Sequence, residues 1–234
     1  MQLFQGQQMG DQFVIVDPME VHHCIKVTRH RNGDSILVTD FNGTIWQAVI
    51  QEIQGEQVIA RITGIYTQTL PKATITLAIS LTQNNDRFEW FVEKATETGV
   101  DRIVPLICSR TENKKDKSER WQKIMMSSAK QCLRARLPEL EELQRFEKFI
   151  TTSRPPQRYI CHCENSQLTF LGEMYNRNQE SVILIGPEGD FSSDEINRAI
   201  SAGYQEAGLG RDRLRVETAG IAAALICKTL QNMS

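Results

Sequence analysis

Two short segments near the C-terminal end hold residue types suited to handling a ligand. The first is Gly186-Pro187-Glu188-Gly189-Asp190, directly after the apolar run 182–185. The second is residues 209–215, LGRDRLR, which run into Glu217-Thr218-Ala219 and an apolar stretch. Glycine lets another molecule approach the main chain, because it has no Cβ and tolerates unusual φ. Loops of this kind between a strand and a helix are where α/β proteins bind ligands. Glu188 and Glu217 are the glutamates of the two segments; each suits a helix N-terminus as well as acid–base work. Arg211, Arg213 and Arg215 alternate through the second loop and fit either phosphate binding or solvent exposure.

Other chemistries are poorly served. No GxGxxG, P-loop, HExxH or CxxC pattern occurs. No serine sits in a nucleophile elbow. Cys161-His162-Cys163 are consecutive in an expected strand, where the two cysteines share one face and the histidine takes the other. With no second Cys/His cluster to close a site, these are read as core thiols and no metal is expected.

The elements that must position these loops follow from pattern. Residues 182–185 are a strand, and Ser192 with Glu195 three residues on is a capping box opening a helix that stops before Gly203. Upstream, 73–81, 102–108 and 158–163 read as strands. Residues 86–98, 118–137 and 168–176 read as helices, with Asp86 and Glu89 as an acidic capping pair. Strand–helix alternation predicts a mostly parallel sheet. Residues 1–70 follow another grammar. Short β-branched runs at 13–16, 35–39, 44–50 and 57–62 are separated by Asn32-Gly33, Asn42-Gly43 and Gly55, with one short helix within 21–29. That predicts a small barrel. Leu70-Pro71 is the expected linker, dividing 1–70 from 71–234.

The chain has 234 residues, 40% hydrophobic and 24% charged, an ordinary globular balance. No apolar run approaches a membrane span, and the N-terminus has no signal-peptide pattern. Six scattered cysteines read as reduced thiols, so a cytoplasmic protein with no membrane partner is expected. Net charge is −2, but residues 110–136 carry nine Lys/Arg against three acids. That stretch is +6 and the rest of the chain −8. A basic segment on an acidic protein fits a phosphate-binding patch or a solvated helix face equally well. His22, His23 and His30, close to Lys26, Arg29 and Arg31, pose the same choice at the barrel.

In combination the motifs are specific. ITLAISL, DRFEWFVEKATETGV, IVPL, IGPEG.FS..E and LG..RLR.ETA, in this order, resemble the ribosomal RNA small subunit methyltransferase E family across nearly the whole chain. His23, Val27, Arg29, Gly33 and Asp34 resemble its N-terminal pattern. The chain departs from that family at Asp190, where glycine is usual, and at Val216, where threonine is usual. It also lacks the arginine-rich start in residues 1–8.

The resemblance implies a C-terminal SPOUT α/β domain with a trefoil knot, a PUA-like or OB-like N-terminal barrel, and a homodimer. It implies methyl transfer from S-adenosyl-L-methionine to N3 of a uridine in small-subunit (16S) ribosomal RNA, free or in an assembled 30S particle. The cofactor would lie against Ile185, Gly186, Pro187, Gly189, Leu209 and Gly210, with Leu214, Val216 and Thr218 closing the pocket. Glu217 or Glu188 would take the N3 proton and Arg215 would stabilise the anion. RNA contacts would come from Arg29, His30, Arg87 and Arg110, and from Lys114, Lys115, Arg134 and Arg136. A SPOUT enzyme acting on another nucleotide, and a non-catalytic RNA-binding assembly factor, are the alternatives.

Overall fold

The computed structural model describes residues 2–68, 73–153, 155–164 and 167–233. The expected linker, Leu70-Pro71, lies outside the described residues. The chain divides into two compact units, Met1–Pro71 with Met126–Leu137, and Lys72–Met125 with Pro138–Ser234.

The first unit contains β1 (Leu3–Gln5), β2 (Gln7–Met9), β3 (Gln12–Ile15), α1 (Pro18–His22), β4 (Ser35–Thr39), β5 (Thr44–Gln54) and β6 (Gln57–Gln68). A π-helical turn, His23–Val27, extends α1, filling the expected helical stretch. The strand order is β1-β4-β5-β6-β3-β2. The end strands of that path, β1 and β2, are consecutive in the chain with Gly6 alone between them, so the sheet has to curl round. Gly6 N–H donates to Thr39 O on β4 at 3.2 Å, and a Cβ there would stand 2.4 Å from the Val14 carbonyl oxygen on β3. The curled sheet encloses Phe4, Phe13, Ile15, Ile36, Val38, Ala48, Ile50 and Val58. Segment 126–137 packs on its outside, placing Ala129 and Ala135 against Leu3, Leu37, Phe41 and Ile45.

The second unit holds β7 (Ile75–Ser80), α2 (Asn85–Thr98), β8 (Arg102–Ile107), the start of α3 (Ser118–Gln131), β9 (Glu139–Leu140), β10 (Gln144–Arg145) and α4 (Phe146–Thr152). It continues with β11 (Gln157–Cys161), α5 (Leu171–Met174), β12 (Ser181–Ile185), α6 (Ser193–Ser201), β13 (Gln205–Ala207) and α7 (Val216–Asn232). The sheet runs β10-β8-β7-β12-β11-β13, with β9 beside β8, and every pairing is parallel. All strands therefore deliver their carboxyl ends to one edge. The central strands β7 and β12 are buried at every position, as a sheet covered on both faces requires.

Several boundaries differ from expectation, each for a local reason. Asn84, not Asp86, caps α2: its side chain accepts the Asp86 N–H at 2.8 Å, while Glu89 receives two donors from Arg120. Helix α3 stops at Gln131 rather than 137. Leu133 turns left-handed (φ 51°), Arg134 N–H returns to Ala129 O, and Ala135 O accepts the Gly43 N–H. Strand β11 stops at Cys161 rather than 163 because the Cys163 N–H goes to the Asp190 carboxylate. The expected helix 168–176 shrinks to the single turn of α5. Thr169 O and the Leu171 N–H are taken by Gly208, which draws Phe170 into a bridge. Helix α4, unread in the sequence, buries Phe146, Phe149 and Ile150 at i, i+3, i+4 spacing.

Helix α7 approaches α2 and β7 closely because residue 220 is glycine. A Cβ there would stand 2.6 Å from Phe91 Cε2 and 2.9 Å from Ile79 Cδ1. Gly220→Ala is expected to destabilise the protein by about 1–3 kcal/mol, since α7, Phe91 and β7 must separate. The urea midpoint should fall with an unchanged slope; an unchanged or higher midpoint would show that the helix pair yields freely.

Candidate functional site

A cavity of about 950 Å³ opens at the carboxyl ends of β11, β12 and β13 in the second unit. Three wall segments form it: Cys161–Cys163 with Leu168–Phe170, Ile185–Asp190, and Gly208–Leu214; Glu173 and Ala219 complete it. Both segments singled out in the sequence are therefore walls of one cavity, because β12 and β13 flank β11 in the same parallel sheet.

Of the expected cofactor residues, Ile185, Gly186, Pro187, Gly189, Leu209, Gly210 and Leu214 line the cavity. Val216 and Thr218 do not: Val216 is buried in the first turn of α7 and Thr218 is exposed. Among the acids, Glu188 lines the cavity and is exposed, with Oε1 accepting the Gln83 N–H at 2.9 Å. Arg215 and Glu217 are not side by side. Arg215 is the extended N-cap of α7 and points to solvent. Glu217 is one residue inside the helix and 6% exposed, with Oε1 3.8 Å from Arg87 Nε and Oε2 without a hydrogen-bond partner. The helix begins at Val216, so positions 216 and 217 turn inward together instead of alternating as extended chain would.

The expected RNA contacts divide between the units. Arg29, His30, Arg134 and Arg136 belong to the first. Arg29 is exposed with φ 57°, and His30 Nδ1 lies 2.6 Å from Thr28 Oγ1. Arg136 is exposed beside Gly43. Arg87, Arg110, Lys114 and Lys115 belong to the second unit. Arg110 binds the cavity wall: its Nη1 donates to Gly189 O at 2.6 Å and to Phe191 O at 3.2 Å. Lys114 and Lys115 are exposed.

The wall after β12 is held by a buried carboxylate. Glu195, 3% exposed, accepts from Ser109 N–H and Ser109 Oγ at 2.8 Å each, and from Ser192 N–H at 2.9 Å and Ser192 Oγ at 3.0 Å. The capping box is thus present as expected. Its glutamate also fastens the loop after β8 to the start of α6, which local pattern could not show.

The expected core position holds for Cys161 but not for Cys163. Cys161 ends β11 and is buried, but Cys163 is exposed in the cavity, and His162 lines the cavity with its ring buried. His162 Nδ1 accepts the Glu164 N–H at 3.2 Å, which leaves Nε2 to donate to Glu206 Oε1 at 3.1 Å. No three His, Cys, Asp or Glu among the described residues are grouped to hold a metal ion. Burial raises the Cys227 thiol to about 12 and the Cys24 thiol to about 11, and pushes Cys108 and Cys161 higher still. These four thiols stay protonated at neutral pH and are no nucleophiles.

Native protein treated with a soluble thiol reagent should be modified rapidly at Cys132 and Cys163, the two exposed cysteines. The other four should react only in denaturant. Mass mapping reads this directly, and rapid labelling of Cys161 would contradict the burial that ends β11.

Comparison with known proteins agrees with this architecture. Residues 68–228 match the model of an RNA methyltransferase domain and residues 16–63 that of an RNA methyltransferase PUA domain. Ribosomal RNA small subunit methyltransferase E from Synechocystis sp. is 29% identical over 221 residues, covering 91% of this chain and 72% of the relative. A probable rRNA-methyltransferase from Porphyromonas gingivalis superposes with a TM-score of 0.88 at 32% identity, covering 99% of this chain and 98% of that one. The Neisseria gonorrhoeae small subunit methyltransferase E bound to S-adenosyl methionine gives a TM-score of 0.87 at 26% identity, with 98% of each chain covered. With a domain model spanning most of its length and a solved relative matching nearly all of it, the chain belongs to the RNA methyltransferase family, among the ribosomal RNA small subunit methyltransferase E proteins.

Proposed function

We propose that this protein methylates N3 of a uridine in small-subunit ribosomal RNA, using S-adenosylmethionine held in the cavity at the ends of β11, β12 and β13. The observation that carries this is the cavity itself, walled by main chain at Gly186, Gly189, Gly208 and Gly210. Such walls can meet a nucleoside with N–H and C=O groups. Its charge suits a cationic ligand: Glu173, Glu188, Asp190 and Asp212 face it, against Arg211 and Arg213. The backbone of Ile185, Gly186, Pro187, Gly189, Leu209, Gly210 and Leu214 would hold the cofactor, which supplies an electrophilic methyl on a sulfonium.

The protein's remaining tasks are to orient the base and manage a proton. Uridine N3–H must lose its proton before the nitrogen lone pair can attack. Glu188, exposed in the cavity wall, is the acid best placed to accept it. Glu217, buried against Arg87, is assigned to holding that arginine toward the RNA. Arg215, exposed at the start of α7, is left to steady the negative charge on the base oxygens.

The curled first unit presents Arg29, His30 and Arg136 to RNA phosphate, with Arg134 on the same segment as Arg136. Lys114 and Lys115 do so from the second unit. The chain acts as a homodimer through the outer side of α7, where Leu225 is 49% exposed. Its second unit carries the trefoil knot that the family resemblance implies. No helix among the described residues is long and apolar enough to cross a membrane, and a cytoplasmic enzyme working on ribosomal RNA or the 30S particle fits that.

Incubation with labelled S-adenosylmethionine and 30S particles from a strain lacking the modification should give 3-methyluridine at one position. Label on another base would retain methyl transfer and overturn the uridine assignment; cofactor binding without transfer would leave a binding protein. Glu188→Gln should still bind cofactor, with affinity reduced by no more than a few-fold for the lost wall charge, and lower the single-turnover rate at saturating cofactor by roughly 100-fold, regained in part at higher pH as solvent removes the N3 proton. A normal rate would remove Glu188 from the chemistry.

A further inference from the structure

Asp190 stands where a side chain is at a backbone disadvantage. Its φ is 62°, in the left-handed region that favours glycine. An aspartate held at such a φ needs a compensating role for its carboxylate. Both oxygens are engaged. Oδ1 accepts the Phe191 N–H at 2.7 Å, a local contact that turns the chain toward α6. Oδ2 accepts the Cys163 N–H at 2.7 Å, a contact that crosses from the loop after β12 to the loop after β11.

Both loops are walls of the cavity. The Cys163 N–H has left the β11 ladder to make this bond, so the carboxylate replaces a strand partner for a backbone donor. A second link runs parallel to it, from Ser193 Oγ to Glu164 Oε1 at 2.6 Å. Hydrogen bonds to an ionised acceptor are among the stronger ones in proteins, and this one joins segments 27 residues apart.

We propose that Asp190 is a positioning residue for S-adenosylmethionine: its carboxylate ties the loop after β11 to the loop after β12 and sets the distance between two cavity walls before the cofactor enters. The inference rests on the cofactor assignment proposed above. Asp190 touches no reacting atom in this account; it lowers the ordering cost of binding by holding the walls in the bound arrangement. A chain with glycine here would have an easier backbone and a looser cavity.

Stability and affinity should therefore be uncoupled, since strain relief offsets the lost hydrogen bonds in stability but not in the cavity's geometry. The full-length protein, Asp190→Gly and Asp190→Asn are compared by thermal unfolding, calorimetry with S-adenosylmethionine, and steady-state KM for cofactor and for RNA. Asp190→Gly should melt within a few degrees of the unaltered protein, because relief of the left-handed strain offsets the two hydrogen bonds it loses. Its cofactor affinity should nevertheless fall about tenfold, the scale of a lost charge-assisted hydrogen bond. KM for the cofactor should rise with it and KM for RNA should not move. Asp190→Asn should lie between, since asparagine tolerates the left-handed region and keeps one acceptor oxygen. Affinity of Asp190→Gly within roughly twofold of the unaltered protein would overturn the proposal, as would losses of affinity that merely follow losses of stability. An unaltered protein with no affinity for S-adenosylmethionine would overturn the cofactor assignment itself, a result distinct from equal binding by all three proteins.

Discussion

The Glu195 carboxylate is the interaction on which the site depends. It is almost fully buried and accepts four hydrogen bonds, two from Ser109 after β8 and two from Ser192 at the head of α6. A buried carboxylate lacking these donors would be costly, so the two loops cannot separate cheaply. The wall 185–190 lies between this anchor and β12. Arg110 then grips the same wall through the Gly189 and Phe191 carbonyls, and Gln83 donates to Glu188. Loops from β7, β8 and β11 thereby converge on the loop after β12, which can stay glycine-rich and open on its cavity side.

That convergence is possible because the sheet is parallel throughout. Antiparallel pairing would send alternate loops to opposite edges. Here the loops after β11, β12 and β13 share an edge, and the exchange between Gly208 and residues 169–171 pins the third wall to the first. The first unit solves a different problem. Its end strands are joined by one glycine, so curling hides edges that a flat sheet would expose.

What was legible in the sequence was periodic or local. Strands β3 to β8, β11 and β12, together with α2, the capping box of α6 and the two glycine loops, announce themselves through alternation, helical spacing and cap residues, whereas β1, β2, β9, β10 and β13, of two or three residues each, are too short to show a period. What was not legible depends on partners far away in the chain. The early end of β11 requires Asp190, 27 residues on; the shortened α5 requires Gly208; the stop of α3 requires Gly43. None of these leaves a mark within a local window. The inward turn of Glu217 follows from α7 beginning at Val216, a start that no side-chain cap at Arg215 announces. The exposure of Cys163 has the complementary cause, since the strand has already ended. Helix α4 is different: the spacing of Phe146, Phe149 and Ile150 was there to be read.

The central claim is that three strand-end loops of the second unit make one cofactor cavity. Hydrogen–deuterium exchange of the full-length protein with and without S-adenosylmethionine tests it most directly. Protection should appear together in residues 161–170, 185–190 and 208–214, with residues 3–68 unchanged. Protection confined to the first unit, or none at saturating cofactor, would contradict the account.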